Sequence, residues 1–134
     1  MASFDIQTRA DRVNRRTLPV SSGTYITGRW CSIDGNGYAA ASNAGSVNNY
    51  LIILGNEVRP DSIGSSSITV QYGSNLFMLN TYGANDTITA GNALKVDAYG
   101  DLVVASGTYS AVAVAYAETS VNQGIAGLKI RTLY

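Results

Sequence analysis

Ser67-Ile68-Thr69-Val70-Gln71-Tyr72 alternates polar and apolar side chains without a break. Successive residues of a strand point to opposite faces, so Ile68, Val70 and Tyr72 line one face and Ser67, Thr69 and Gln71 the other. The same strand chemistry recurs on both sides of this stretch. Upstream lie Thr24–Thr27, Trp30–Ile33, Tyr38–Ser42 and the run Asn49-Tyr50-Leu51-Ile52-Ile53-Leu54. That run is almost continuously apolar, as expected of a strand covered on both faces. Downstream lie Leu76–Thr81, Ala93–Val96, Leu102–Val104, Val112–Tyr116 and Leu128–Arg131. Gly, Asn or Asp interrupts the pattern between them, and helical periodicity is scarce. A short helix near Gly55–Ile63 is the one candidate, and Pro60 limits it. Short strands separated by such turns predict an all-β fold, a compact sandwich or barrel.

Setting Gly28 over Gly91 brings Ile33 onto Val96, Asp34 onto Asp97, Gly37 onto Gly100 and Ala41 onto Val104. Further on, Leu51–Leu54 meets Ala111–Val114, Ser67–Val70 meets Lys129–Thr132, and Tyr72 meets Tyr134. Two copies of one β-unit are therefore expected, about 28–72 and 91–134, joined by Gly73–Ala90. Units of half this size cannot each bury an adequate core, so they should pack as a single domain over 24–134.

Composition narrows the function. The chain has 134 residues, only 13% of them charged, with nine basic and nine acidic side chains. Small neutral residues take the place of charge: 14 Ser, 11 Thr, 11 Asn, 14 Gly and 16 Ala. Such a surface lacks the field that recruits nucleic acid and the self-repulsion that keeps monomers apart. The absence of His removes the commonest general base and metal ligand. The lone Cys31 can form neither an internal disulfide nor a zinc cluster. No phosphate-binding Gly-rich motif occurs. Asp34-Gly35-Asn36-Gly37 resembles part of a calcium loop, but it and Asp97-Ala98-Tyr99-Gly100-Asp101 read first as hairpin turns. An enzyme is not expected, and no catalytic residue, cofactor or metal is implied. The longest apolar stretch, Ala111–Ala117, is far too short to cross a bilayer, and no secretory signal is evident at the N-terminus.

Charge is uneven along the chain. Residues 1–29 carry Arg9, Arg12, Arg15, Arg16 and Arg29 against Asp5 and Asp11, whereas residues 30–134 are mildly acidic. Residues 1–23 read as a basic arm that orders on a partner, with Phe4 and Ile6 as apolar anchors and Arg9, Arg12, Arg15 and Arg16 as carboxylate-seeking cations. On that reading, deleting residues 1–16 leaves the body intact. Nine tyrosines supply flat contact area with polar tips, as protein interfaces favour.

The stretch Ala90-Gly91-Asn92-Ala93-Leu94-Lys95-Val96-Asp97, followed by Gly100-Asp101-Leu102-Val103-Val104, Val112–Ala117 and the terminal Leu128–Leu133, resembles the second half of tailed-phage capsid decoration proteins, also called cement or head-stabilising proteins. Asn92 stands where that pattern usually has Asp, and Ala113 where it has Gly. The resemblance implies a tulip-like β body on the outer capsid surface of a virion, made in the host cytoplasm. Its partners would be the major capsid protein and itself, as a homotrimer or a dimer, with neither nucleic acid nor membrane involved. It brings no catalytic residues. The alternatives are a carbohydrate-binding or adhesin-like β module, a head-fibre subunit, or a head–tail connector.

Overall fold

In a computed structural model, residues 5–8, 14–56, 66–74, 76–106, 110–121 and 127–134 are described except for 81–86. They form antiparallel strands with no helix. The strands are β1 (Asp5–Thr8), β2 (Asn14–Pro19), β3 (Trp30–Ile33), β4 (Ala39–Ala40), β5 (Tyr50–Leu54), β6 (Ser67–Tyr72), β7 (Leu76–Asn80), β8 (Ala93–Val96), β9 (Leu102–Val104), β10 (Ala115–Ala117) and β11 (Leu128–Thr132). One sheet runs β2-β6-β5-β3-β4 and the other β1-β7-β11-β10-β8-β9. One of the two is curled into a half-barrel, and the fold is the all-β sandwich or barrel that the alternation predicts. The helix expected near 55–63 lies mostly outside the described residues.

The two sheets repeat one another strand for strand. Cys31 pairs with Tyr50 as Leu94 pairs with Ala115, and Ile33 pairs with Ala39 as Val96 pairs with Leu102. Ile52 pairs with Val70 as Ala117 pairs with Ile130. Val70 then pairs with Arg16, and Ile130 with Phe77. Strand β2 is therefore the counterpart of β7, and each unit has five strands rather than the four legible in the sequence. The turn bonds duplicate as well. Gly28 N–H donates to Ile52 C=O and Gly91 N–H to Ala117 C=O, while Arg29 N–H donates to Ile26 C=O and Asn92 N–H to Thr89 C=O.

Three sequence expectations change on this register. Residues 14–19 are not part of a free arm: they form β2, six residues paired along β6, with Leu18 fully buried. Deleting residues 1–16 would remove half of that strand. Likewise β7 lies within the supposed connector 73–90 as the first strand of the second unit. Finally, Leu51 and Ile52 correspond to Tyr116 and Ala117, not to Ala111 and Val112, because the loop before β10 is longer than the loop before β5, and Val70 and Tyr72 correspond to Ile130 and Thr132, not to Thr132 and Tyr134. Residues 24–27, expected as a strand, lie outside the strands and lead into the turn closed by Arg29 N–H on Ile26 C=O, with Tyr25 N–H donating to Asn56 Oδ1 at 2.7 Å.

Each unit has its own core, built from equivalent positions. Leu18, Cys31, Ala39, Ile52, Ile68 and Val70 close the first. Leu94, Leu102, Ala117, Leu128 and Ile130 hold the matching places in the second. The first unit also contributes the opposite face of its sheet. Trp30 and Leu51, alternate neighbours of Cys31 and Ile52, are buried in the second core, with Ile53 packed against it. Leu51, Ile52 and Ile53 are apolar in succession because β5 has a core on each side. Burying a leucine alone contributes about 1.5–3 kcal/mol, so this shared face is a principal bond between the units.

The hairpins β3–β4 and β8–β9 share one turn geometry. Asp34 Oδ1 accepts from Asn36 N–H and Tyr38 N–H, and Asp97 Oδ1 accepts from Tyr99 N–H and Asp101 N–H. Gly37 and Gly100 both have φ 82°, a region side chains avoid. Their surroundings differ. A Cβ on Gly37 would meet nothing within 4 Å, whereas one on Gly100 would lie 2.6 Å from Trp30 O. That approach lets Trp30 N–H donate to Gly100 C=O at 2.9 Å across the units. Gly37→Ala should cost about 1–2 kcal/mol from backbone strain alone. Gly100→Ala should cost at least about 2 kcal/mol more, since overpacking adds to the strain. Urea unfolding of the two variants measures the difference; equal losses would mean that the Gly100–Trp30 contact is not tight.

Cys31 lies within the first core, and burial pushes its thiol up to about 12. A thiol reagent at pH 8 should leave the native protein unmodified and label it only on unfolding. Labelling of the native protein in minutes would show that this core opens locally.

Candidate functional site

Two copies of one unit allow a position-by-position comparison. Places that are apolar or small in the second unit but polar or aromatic in the first mark where packing alone does not decide the residue. Such places recur in the first unit. Arg16 stands where the second unit has the buried Phe77. Tyr50 and Tyr72 stand where it has Ala115 and Thr132. Tyr25 and Asn56, which exchange a backbone bond and a side-chain bond, stand where Ile88 and Val121 form a two-bond bridge.

Among them, Tyr72 touches both Tyr50 and Arg16. Tyr50 and Tyr72 rings are 4.7 Å apart and tilted. Arg16 Nη1 donates to Tyr72 Oη at 3.2 Å. Burial and the Tyr72 hydroxyl raise the Tyr50 phenol above its ordinary value, and the Arg16 guanidinium opposes them. Tyr25 Oη donates to Ala39 C=O at 3.1 Å, and burial raises its phenol too, with Cys31 and Asp34 adding to the shift. Tyr25, Tyr50 and Tyr72 keep partly buried bodies against the first core. The result is a tyrosine-lined end with an arginine at its edge.

Strand β2 forms the open margin beside this cluster. Val20 N–H donates to Ser66 C=O at 2.7 Å, which fixes the alternation along the pair. Leu18, Arg16 and Asn14 turn their backbone groups to β6, and Pro19, Thr17 and Arg15 turn theirs outward. Proline is confined in sheets to such outward positions, where no ladder bond is lost. In the second unit the equivalent margin, β7, is covered by β1 in the register Asp5 with Asn80, Ile6 with Leu79, Gln7 with Met78 and Thr8 with Phe77. In the first unit β2 ends its sheet among the described residues.

Of the six side chains expected to grip a partner, Arg15 and Arg16 lie together on β2, opposite Gln71 and Val70. Both are exposed, and neither meets a carboxylate among the described residues. Ile6 is in β1, on the other sheet, opposite Leu79. Phe4, Arg9 and Arg12 lie outside the described residues. The sequence offers Tyr25, Tyr50 and Tyr72 only as three of nine tyrosines and gives no sign of Asn56; the register of the two units sets them apart.

A second feature lies where the units meet. Gly23, Tyr25, Arg29, Trp30, Ser42 and Tyr99 are among the residues lining a cleft of about 270 Å³. Arg29 Nε lies 3.4 Å from Asp101 Oδ1 there. Burial raises the Asp101 carboxyl above its ordinary value, Arg29 opposes this, and Asp97 adds to it. Ser42 Oγ donates to Asp97 C=O and Gly45 N–H to Val96 C=O, so these groups chiefly clamp the second hairpin onto the first unit. Tyr99 is 76% exposed at this junction. Among the described residues no group of three or more acidic or cysteine side chains could hold a metal ion.

Comparison with protein families, characterised proteins and solved structures finds no significant match to this chain.

The unequal roles of the paired positions can be tested by exchange. Arg16→Phe places the second unit's residue in the first and should leave stability within about 1 kcal/mol of the parent, as exposed sites generally do. Phe77→Arg buries an unpaired charge and should cost more than about 3 kcal/mol. Urea midpoints measure both. A large loss from Arg16→Phe would show that the arginine serves the fold rather than a partner.

Proposed function

We propose that this chain is a structural virion protein that binds the outer surface of a phage capsid and stabilises it by bridging major capsid subunits. The observation that carries the reading is the asymmetry of the duplicated body. The second unit is closed with apolar residues and a covering strand, whereas the first presents Arg15, Arg16 and a tyrosine-lined end beside an open margin. Exposed arginine and partly buried tyrosine are the residue types that carry binding energy at protein interfaces. The resemblance of residues 90–133 to decoration proteins supplies the partner. Arg9 and Arg12 lie in sequence between β1 and β2, so they extend the same cationic terminus. Many copies per head would let modest contacts suffice through avidity. Assembly as a trimer on the shell belongs to the same proposal.

A second reading, a glycan-binding module, draws on one observation. Tyr99 and Tyr25 flank the junction cleft, where aromatic faces could stack on a sugar ring.

Purified protein mixed with undecorated, DNA-filled heads should cosediment with them to a saturating occupancy and raise the temperature at which they release DNA. Arg15→Glu combined with Arg16→Glu should lower affinity by about tenfold or more while leaving the melting temperature of the free protein nearly unchanged. Absence of cosedimentation by the parent protein would overturn the proposal. Binding to a glycan array without head binding would favour the second reading.

A further inference from the structure

We infer that the free margin of β2 is an acceptor for an extended acidic segment of a partner protein, which adds to the first unit as an antiparallel strand. The inference refines the capsid-binding reading and rests on it for the identity of the partner, but not for the chemistry of the margin.

The molecule contains its own template. Strand β7 is paired on both sides, by β11 and by β1. Among the described residues its counterpart β2 is paired on one side only, by β6. The duplicated backbone therefore has a strand-shaped place with a known direction and register. Thr17 holds the place of Met78, so the incoming residue opposite Thr17 takes the place of Gln7, and the next residue toward the C-terminus takes that of Thr8.

The outward backbone groups set what can bind. Arg15 and Thr17 each offer an N–H and a C=O, and Pro19 offers only its C=O. Main-chain bonds of this kind give affinity, and the side chains opposite give specificity. Residues directly opposite on neighbouring strands share a face. An acidic residue opposite Arg16 would meet its guanidinium beside Tyr72, and one opposite Arg15 would meet the second arginine on the other face. The margin thus selects two consecutive carboxylates.

The same charges argue against a second copy as the occupant. Two β2 margins paired antiparallel about Arg15 or Arg16 would set an arginine of each chain directly opposite the other, and like charges so placed are destabilising. Arginine and proline on an edge strand normally guard against pairing. Here that guard admits one class of strand and refuses the rest.

The test uses the intact protein and two probes. The first is an acetylated peptide, Thr-Val-Thr-Glu-Glu-Thr, at millimolar concentration, with the Glu-Glu pair replaced by Lys-Lys as its control. The second is undecorated heads. Amide hydrogen exchange is read at Arg15 and Thr17, whose N–H groups face outward, and at Arg16 and Leu18, already bonded to β6. The acidic peptide should slow exchange at Arg15 and Thr17 by about tenfold without affecting Arg16 and Leu18, and the Lys-Lys peptide should not. Arg15→Glu with Arg16→Glu should reverse that preference. Thr17→Pro removes an outward donor and should abolish both peptide protection and head binding with little loss of fold by circular dichroism; should it unfold, the charge-swap pair still decides.

Protection by neither probe overturns the inference, as does equal protection by both peptides or protection at β2 that tracks self-association in the absence of peptide. Heads that bind equally well with Thr17→Pro would overturn it while leaving the proposed function standing. Peptide protection without head binding would support the acceptor margin and remove the capsid as its partner.

Discussion

The packing of Trp30 and Leu51 into the neighbouring core holds this molecule together. A five-stranded curled unit of this size has one concave face to fill and one back to cover, and too little surface to do both alone. The first unit fills its own concavity with Leu18, Cys31, Ile52, Ile68 and Val70 and gives its back to the second. Close approach at Gly100 completes the joint, where Trp30 N–H reaches a backbone carbonyl that any larger residue would push away. The arrangement is directional. The second unit has Ala93 and Tyr116 where the first has Trp30 and Leu51, so it cannot return the same contact.

That directionality separates the roles of the halves. The second unit, receiving side chains from both sheets, is apolar at nearly every equivalent place and has β1 along its margin. Among the described residues the first has no strand covering its margin, and in this unit the alternatives to packing appear: Arg16 for Phe77, Tyr25 for Ile88, Tyr50 for Ala115. A cationic, tyrosine-lined edge does not improve a core. It costs apolar burial and gains contact chemistry. What the first unit gives up relative to its twin is the ground for the binding role proposed for it.

Much of the fold was legible in period and punctuation. Ser67–Tyr72 is a strand over its full length, Ala93–Val96 and Leu102–Val104 match their expected bounds, and the two Asp–Gly hairpins superpose as their spacing implied. The candidate site was legible only in part. Arg15 and Arg16 stood out by charge, but as members of an arm, because Asn14–Pro19 has the composition of a solvated terminus. One buried residue, Leu18, and six rungs against β6 make it a strand, and neither is a local property. The tyrosine cluster was invisible because its residues lie far apart in sequence and gain meaning only against their counterparts.

The sequence by itself determined that the chain is β, that it is built twice from one hairpin-bearing unit, and that β5 is covered on both sides. Each of these rests on short-range alternation and turn chemistry, which the chain carries at every point. Tertiary structure alone decided the register of the repeat, the recruitment of β2 and β7 as first strands, and which margin stays open. Those outcomes depend on loop length and on cross-strand partners distant in sequence. Inserting residues before β10 shifts the later pairings while leaving the pattern of each strand unchanged.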